Sequence, residues 1–302
     1  MNELTEIAGG KKLQDLNLRK HEGKWDLRGR SLAAPSVARN VAHDLGDFAV
    51  VEGLTEYRGL KLECADFSGS QLKHLRLHNS IFTDCCFDGC NCQDWRVWES
   101  SFTRCTFRKT DLRGSSLGAV DKASRRRNVF TNVDFAETDL RDTAYTSAEF
   151  LGCVFKNAKL VKVDFQGSVF ADCIFEGRLR EVLFYDRGFE GKDLTPNGML
   201  HVDCRHADFD YVEFRRLNLE TIRFPEGDDY IQSDVFPTVL AAFIAELKKR
   251  NDAPSRMLAA GLANKTKWLG PQQHRGVFSK KHILSVGGQQ NLELLLEITN
   301  RH

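Results

Sequence analysis

An apolar side chain returns at every fifth position between Leu62 and Phe224, and this period constrains the fold more than any other feature of the chain. It fits neither the α-helical period of about 3.6 residues nor the strand period of about 2, so the segment must be read as an internal repeat. The apolar positions, called centres below, form three runs. They are Leu62, Phe67, Leu72, Leu77, Phe82, Phe87, Cys92, Val97, Phe102, Phe107, Leu112 and Leu117; Phe130, Phe135, Leu140, Tyr145, Phe150, Phe155, Leu160, Phe165, Phe170 and Phe175; and Leu179, Phe184, Phe189, Leu194, Met199, Cys204, Phe209, Phe214, Leu219 and Phe224. Seventeen of the 21 phenylalanines are centres, which excludes a chance pattern.

The other positions of each five-residue unit are also restricted. The residue two places before the centre is usually small or β-branched, as in Ala65 and Thr110, and the residue directly before it is often aspartate, as in Asp66 and Asp111. One small and one large inward side chain per unit would fill a narrow core, and small polar residues between units suit turns. The unit therefore predicts a stack of short, turning segments.

This unit resembles that of the pentapeptide-repeat family, and the number of copies makes the resemblance specific. The resemblance implies an all-β solenoid, a right-handed quadrilateral β-helix of about eight coils, in which each unit forms one side and four units close a coil. Successive coils would pair their backbones at a spacing of about 4.8 Å. The stacked phenylalanines would supply most of the stability, because a buried Phe contributes about 1.5–3 kcal/mol.

The period divides the chain into three predicted parts. Residues 1–60 are expected to form an N-terminal cap with a partial repeat, residues 61–228 the β-helix, and residues 229–302 a C-terminal helical cap or interaction region. In the first part, Trp25 to Gly29 fits one unit and Leu32 follows it, whereas the helically spaced residues Val37, Val41, Leu45 and Phe48 are expected to cover the open end of the rod. In the last part, Phe236, Leu240, Phe243, Ile244 and Leu247 form a helical stripe that is expected to pack on the last coil.

Residues 118–129 interrupt the period with eight extra residues and form the first candidate site. The insertion carries Lys122, Arg125, Arg126 and Arg127, and it is expected to project from the rod. It would be either a tolerated solvated loop or a loop that contacts a partner, since scaffolds often carry function on such loops.

Residues 184–199 form the second candidate site, an irregular coil. Arg187, Lys192 and Asn197 occupy positions where small residues belong. Their side chains would reach solvent or line a binding cleft.

Charge and cysteine usage exclude several classes of protein. Lys plus Arg is 43 and Asp plus Glu is 42, a net charge of +1, so direct nucleic-acid binding is disfavoured. No run of 18 apolar residues and no signal peptide is recognisable, which predicts a cytoplasmic protein with no membrane partner. Among the nine cysteines, Cys85 and Cys105 are one coil apart, as are Cys153 and Cys173, which favours buried reduced core residues over disulfides or metal ligands.

No catalytic motif is recognisable, so we expect no enzyme, no catalytic residue, no cofactor and no metal. The cluster from His201 to His206 resembles a ligand set, but the register turns Cys204 inward and both histidines outward on adjacent sides.

These observations favour a non-catalytic protein–protein interaction or scaffold protein, whose partner is another protein of unknown identity. The family resemblance implies an alternative: interaction with a type II topoisomerase, DNA gyrase, that protects it from an antibiotic or toxin through a DNA-like shape and the inserted loop. The balanced charge is weak for a DNA mimic. The C-terminal region could also serve as a homodimer contact or carry an enzyme or effector activity.

Overall fold

The protein forms a four-sided parallel β-helix followed by an α-helical unit, as the computed structural model shows. The structure describes residues 3–32, 55–118, 125–186 and 198–302. The predicted all-β solenoid of about eight coils, with a C-terminal helical region, is confirmed.

Each side of the rod is a ladder of short parallel strands, and we name the sides faces A to D in chain order. Face A is a six-stranded sheet of Lys61–Glu63, Ile81–Thr83, Ser101–Thr103, Val129–Thr131, Glu149–Leu151 and Val169–Ala171. Face B contains Lys24–Asp26, Ala65–Asp66, Val154–Lys156 and the first half of Ile174–Arg180. Face C contains Leu160–Val161, Ala207–Asp210 and the second half of Ile174–Arg180. In both faces, isolated bridges of single residue pairs connect the remaining coils. Face D is an eight-stranded sheet of Thr55–Arg58, Leu75–His78, Arg96–Trp98, Ser116–Gly118, Ala144–Tyr145, Asp164–Gln166, Leu183–Tyr185 and Glu213–Arg215.

The centres of each face stack inside the rod. Phe135, Phe155 and Phe175 form part of the column of face B, with ring centroids 5.0 Å and 4.7 Å apart and nearly parallel planes. Rings from neighbouring faces meet edge to face, as Phe150 and Phe155 do at 5.7 Å. Parallel stacking along the rod and edge contacts across it are the two preferred geometries of aromatic pairs, so phenylalanine suits every centre of the coil.

The side chain two positions before the centre is a hydrogen-bond donor as well as a small spacer. Thr110 donates its hydroxyl to the carbonyl of Phe87 at 2.6 Å, and Cys90 donates its thiol to the carbonyl of Phe67 at 2.9 Å. Each acceptor belongs to a centre of the preceding coil, at a corner where the backbone ladder leaves that oxygen inside the rod. The same carbonyls also accept a backbone N–H, from Cys90 to Phe87 at 3.1 Å and from Ser70 to Phe67 at 3.0 Å. The side-chain donor therefore adds a second bond and satisfies its own buried polar group, which suits Ser, Thr and Cys at this position.

The cysteines predicted to be reduced core residues are free thiols, and Cys85, Cys105, Cys153 and Cys173 are fully buried. Burial, the main cause, raises the pKa of the Cys173 thiol well above its ordinary value, aided by the neighbouring Cys153. The Cys173 thiol therefore stays protonated and acts as a weak donor to the carbonyl of Phe150 at 3.4 Å.

The corners of the rod require a left-handed backbone. The second residue after a centre has positive φ in most units, for example Gly69 at 69° and Asn132 at 52°. Glycine and asparagine adopt this region at the lowest cost, which is why they recur two places after the centre.

Two insertions interrupt the coils, and each falls between a strand of face D and the next strand of face A. The first is the predicted eight-residue insertion: Phe130 pairs with Phe102 across it instead of with a residue twenty positions away. The second lies between Tyr185 and Leu200, because Leu200 bridges Ala171 whereas Ala171 pairs with Leu151 only twenty residues earlier.

Met199 therefore takes the position next to Phe170 on face A, about ten residues later than the period predicts. Phe189 and Leu194, which the sequence counts as centres of the third run, lie outside the described residues. The candidate residues Arg187, Lys192 and Asn197 lie within 187–197, outside the described residues.

The N-terminal end of the rod is covered by the first helix, α1 (Glu3–Ala8), and a 3₁₀ turn (Leu13–Asp15). Leu4 and Ile7 are buried in the same apolar core as the stacked centres. The partial repeat predicted at Trp25 is confirmed, since Trp25 pairs with Ala65 in a parallel strand pair. The predicted helical stripe from Val37 to Phe48 lies outside the described residues.

Four further helices, α2 (Phe236–Lys249), α3 (Ala253–Thr266), α4 (Lys280–Gly287) and α5 (Gln289–Arg301), form the C-terminal unit. The helical stripe beginning at Phe236 is buried as predicted, but the prediction that it packs on the last coil is wrong. Its side chains form a second apolar core with residues of the other helices, such as Leu258 and Leu295.

The last coil is covered instead by a segment before α4. The strand Tyr230–Ser233 pairs antiparallel with Gly276–Ser279, and Arg275, just before that second strand, donates to the carbonyls of Leu219, Glu220 and Ile222 at 3.2, 2.9 and 3.1 Å. One guanidinium therefore satisfies three carbonyls at the end of the rod. The domain boundaries drawn from the sequence stay a prediction.

Candidate interaction surface

Faces B, C and D carry dense networks of ion pairs on their outer surfaces. On face B, Arg108 contacts Asp134 at 2.7 Å, and on face D, Arg215 contacts Glu213 at 2.6 Å. These pairs arise from the repeat, because the residues before and after a centre both point outward. Glu213 and Arg215 flank one centre, whereas Arg108 and Asp134 belong to adjacent coils. The acidic groups of these faces are largely neutralised by the rod's own arginines.

Face C carries such a network around Asp139. Asp139 lies 2.7 Å from Arg141 and 3.5 Å from Lys159, with only 12% of its side chain exposed. Burial alone would raise the pKa of Asp139, but hydrogen bonds from Arg141 and the charges of Arg141 and Lys159 outweigh it and hold that pKa below its ordinary value. The Asp139 carboxylate therefore stays ionised and stabilises the fold through these ion pairs.

Face A has a different outer surface. From Ile81 to Ala171, its strands present one charged outward side chain, Glu149, and otherwise only aliphatic and hydroxyl groups. We call this surface, with Leu200 in the next coil, the apolar strip. Its outward side chains are Ile81, Thr83, Ser101, Thr103, Val129, Thr131, Glu149, Leu151, Val169, Ala171 and Leu200. Ile81 is 44% exposed and Leu200 47% exposed.

The first insertion returns to the rod beside the apolar strip. Asn128 is fully buried there, donating its amide to the carbonyls of Val97 at 2.6 Å and Leu117 at 2.9 Å. The side-chain oxygen of Asn128, Oδ1, accepts a hydrogen bond from the backbone N–H of Ser100 at 2.9 Å. This one side chain occupies the small position of its unit and joins the segment to the coils.

The start of the insertion depends on Gly118. A Cβ at Gly118 would lie 2.3 Å from the carbonyl carbon of Tyr145, closer than any side chain permits. Glycine therefore allows the chain to pass directly against the next coil as it leaves face D.

The three arginines of the candidate loop do not all project as predicted. Arg125 and Arg126 are exposed, but Arg127 is buried, with its Nε 3.8 Å from a carboxylate oxygen of Glu149. The expectation was wrong for Arg127 because Glu149 offers it a counter-charge on face A. Lys122 lies outside the described residues.

The returning segment and the apolar strip enclose an open groove. It has a volume of about 500 Å³, a floor that includes Ile81, Ser101 and Val129, and a wall formed by the three arginines and Glu99. Sequence reasoning found the arginines but missed the strip. The sequence signal for the strip is a lack of charged residues at outward positions that lie one coil, about twenty residues, apart. This signal becomes visible only when the units are aligned coil by coil.

The remaining polar clusters give no further candidate site. Cys204 is buried in the core while His201 and His206 are exposed, as the register predicts. Within the described ranges, Glu63, Cys64 and Asp84 lie close enough to share a cation, but both oxygens of Asp84 already accept hydrogen bonds from Arg104 at 2.8 and 2.6 Å. We assign no metal to this cluster.

A family model of pentapeptide repeats matches eight copies in this chain, over residues 58–89 and 146–177. The chain is a pentapeptide-repeat protein. This pentapeptide-repeat protein has no match among curated proteins. Over the parts of the chain that the structure describes, it contains no helix with the length and apolar character needed to span a bilayer.

Solved structures similar to this pentapeptide-repeat protein include two relatives of known biology. HetL, a pentapeptide repeat protein involved in heterocyst differentiation regulation in the cyanobacterium Nostoc sp. strain PCC 7120, is 14% identical, with 58% of this chain and 91% of HetL covered and a TM-score of 0.35. Full-length QnrB1, a plasmid-mediated fluoroquinolone resistance protein, is 17% identical, with 63% and 92% covered and a TM-score of 0.24. Both likenesses are too distant to carry a function to this chain.

Proposed function

We propose that this pentapeptide-repeat protein is a non-catalytic interaction protein that binds a protein partner through the apolar strip and the adjoining groove. The observation that supports this function is the contrast between faces. Faces B, C and D are covered by ion pairs, whereas the apolar strip presents aliphatic groups along one side of a rigid rod, with Ile81 and Leu200 exposed and Val129, Leu151 and Val169 half-buried. Exposed apolar surface rimmed by polar groups marks interaction sites in soluble proteins.

The proposed role needs no catalytic group. The acidic residues of the repeat are spread around the rod and are paired with arginines, as Asp134 is with Arg108. We further propose that the protein acts in the cytoplasm, where its nine thiols stay reduced.

Two isoleucines provide a matched test. Ile81 on the apolar strip and Ile174 on face B each precede a centre, and they are 44% and 37% exposed. The full chain, the Ile81→Lys variant and the Ile174→Lys variant would be used to capture proteins from the source cell, followed by quantitative mass spectrometry. We expect a partner retained by the parent and by Ile174→Lys and lost with Ile81→Lys. Equal retention by both variants would reject the strip as the interaction surface.

Protection of a type II topoisomerase is the second candidate function, and one observation favours it: an inserted segment with exposed Arg125 and Arg126 leaves a corner of the rod. The paired carboxylates count against it, because a DNA mimic needs an unneutralised acidic surface. A gyrase supercoiling assay with a fluoroquinolone decides the matter. Rescue by the parent, and its loss on deletion of residues 119–126, would establish this second function.

A further inference from the structure

The dimensions of the apolar strip restrict what can cover it. The strip crosses six rungs from Ile81 to Leu200, which at about 4.8 Å per rung gives a length of about 24 Å. Each rung is a three-residue strand, so the strip is about 10 Å wide. An α-helix is about 10–12 Å across and rises about 1.5 Å per residue, so a helix of about 16 residues matches both dimensions.

The surface on either side of the strip is electrostatically asymmetric. Beside its N-terminal half, the groove is lined by Arg125, Arg126 and Arg127 against Glu99 and Glu149, so this side carries a net positive charge. At the opposite corner, Arg104 and Asp84 form an ion pair at 2.6 Å that leaves that side near neutral. A bound segment would therefore favour acidic groups along the flank that faces the arginines.

A second copy of the chain fits this surface less well than a helix does. A strip of about 24 by 10 Å presents about 240 Å² in plan, against about 800 Å² per partner in a stable interface. Two flat-sided rods that meet on this strip alone would bury too little for a stable dimer. A single amphipathic helix can rest on the floor of the groove and also contact its arginine wall.

We propose that the apolar strip is a docking site for an amphipathic α-helix of a protein partner, with acidic side chains along the flank next to Arg125 and Arg126. This inference rests on the proposed interaction function and adds the class of partner. The docked helix would place apolar residues at about i, i+7 and i+14 on Ile81, Val129 and Val169, because these residues lie two rungs, about 9.6 Å, apart and seven helical residues rise about 10.5 Å. The small plan area predicts a transient complex.

The test uses a displayed library of 16-residue helix-favouring peptides, with both flanks randomised, selected on the full chain. Binding of enriched peptides is measured by fluorescence anisotropy, and helix formation by circular dichroism. We expect helical peptides with an apolar stripe and an Asp- or Glu-rich flank. Ile81→Lys should weaken their binding at least tenfold and Ile174→Lys less than twofold. Reversal of both Arg125 and Arg126 to Glu should favour peptides with a basic flank.

Three outcomes would overturn the proposal: no peptide enriched on the strip, enriched peptides that bind in an extended form, or equal effects of Ile81→Lys and Ile174→Lys. A dimer of the parent that Ile81→Lys converts to a monomer would assign the strip to a second copy and would also overturn it. Unchanged thermal melts of the variants exclude misfolding as a cause. If the peptides fail while Ile81→Lys still loses its cellular partner, the interaction function stands and only the helical occupant is rejected.

Discussion

Phe155 and Phe175 stack with ring centroids 4.7 Å apart and an angle of 4° between their planes. Both rings are fully buried, and each belongs to a coil that pairs with the other in register. Parallel coils that repeat every twenty residues place identical side chains directly above one another, so the aromatic column and the backbone ladder reinforce each other.

Truncation of one ring should open this column. Phe155→Ala is expected to lower the free energy of unfolding by about 3–5 kcal/mol, since neighbouring coils cannot collapse into the cavity without breaking their ladder. Urea denaturation measures the loss, with the outward Val154→Ala as control. A midpoint equal to that of the control would contradict the assigned register.

Asn128 should be needed for re-entry of the first insertion. Asn128→Ala would leave the carbonyls of Val97 and Leu117 and the N–H of Ser100 without the bonds that they now make, at about 1–3 kcal/mol for each buried group. A lowered melting temperature is expected, whereas Asn264→Ala, on the exposed side of α3, should change it little. Equal melting of the two variants would contradict the role of Asn128.

Tyr145 is a centre whose hydroxyl is buried and has no hydrogen-bond partner among the residues that the structure describes. Burial raises the pKa of its phenol well above the ordinary value, so the group stays neutral at every working pH. Tyr145→Phe should stabilise the protein by about 1 kcal/mol, because it removes an unsatisfied polar atom and leaves a ring that matches Phe165 below it. Chemical denaturation that showed the variant to be less stable would reveal a partner for this hydroxyl.

Asp139 should contribute to the loss of stability that the protein undergoes as the pH is lowered. Its folded-state pKa is depressed, so its stabilising effect is fully present above its unfolded pKa of about 3.9 and is lost as the pH falls through the folded value. Asp139→Asn should therefore melt below the parent at pH 7, and the difference should shrink toward zero in acid. The exposed Asp142→Asn serves as control, and a difference that does not change with pH would contradict the assignment.

Arg275 should hold the C-terminal end of the rod closed. Loss of its three hydrogen bonds in Arg275→Ala should raise amide hydrogen exchange around Leu219 and Ile222 while leaving the middle coils unchanged. Lysine should restore only part of the protection, because its single ammonium cannot reach the carbonyls that Nη1 contacts and also Asp234, to which Arg275 donates its Nε–H at 2.8 Å. Unchanged exchange in this segment would show that the end is closed by other contacts.

The sequence predicts the stacked centres well because a period of five has one simple structural solution. It also locates the first insertion, since eight extra residues shift the phase between Leu117 and Phe130. The second insertion escapes detection because about ten extra residues between Phe184 and Met199 keep the phase of five. Only the pairing of Ala171 with Leu200 reveals this second insertion.

The candidate surface is less accessible from the sequence. The outward residues of one face lie twenty positions apart, and no local window brings Ile81, Val129 and Val169 together. The burial of Arg127 depends on Glu149, which belongs to the next coil. Such contacts between coils are tertiary facts that residue type alone does not specify.

Photo-crosslinking in the living source cell tests the central claim most directly. Ile81 or Ile174 would be replaced with benzoylphenylalanine in the full chain, and covalent adducts would be identified after irradiation. We expect a single protein adduct from position 81 and none from position 174. Adducts from position 174 alone, or none from position 81, would contradict the assignment of the apolar strip as the interaction surface.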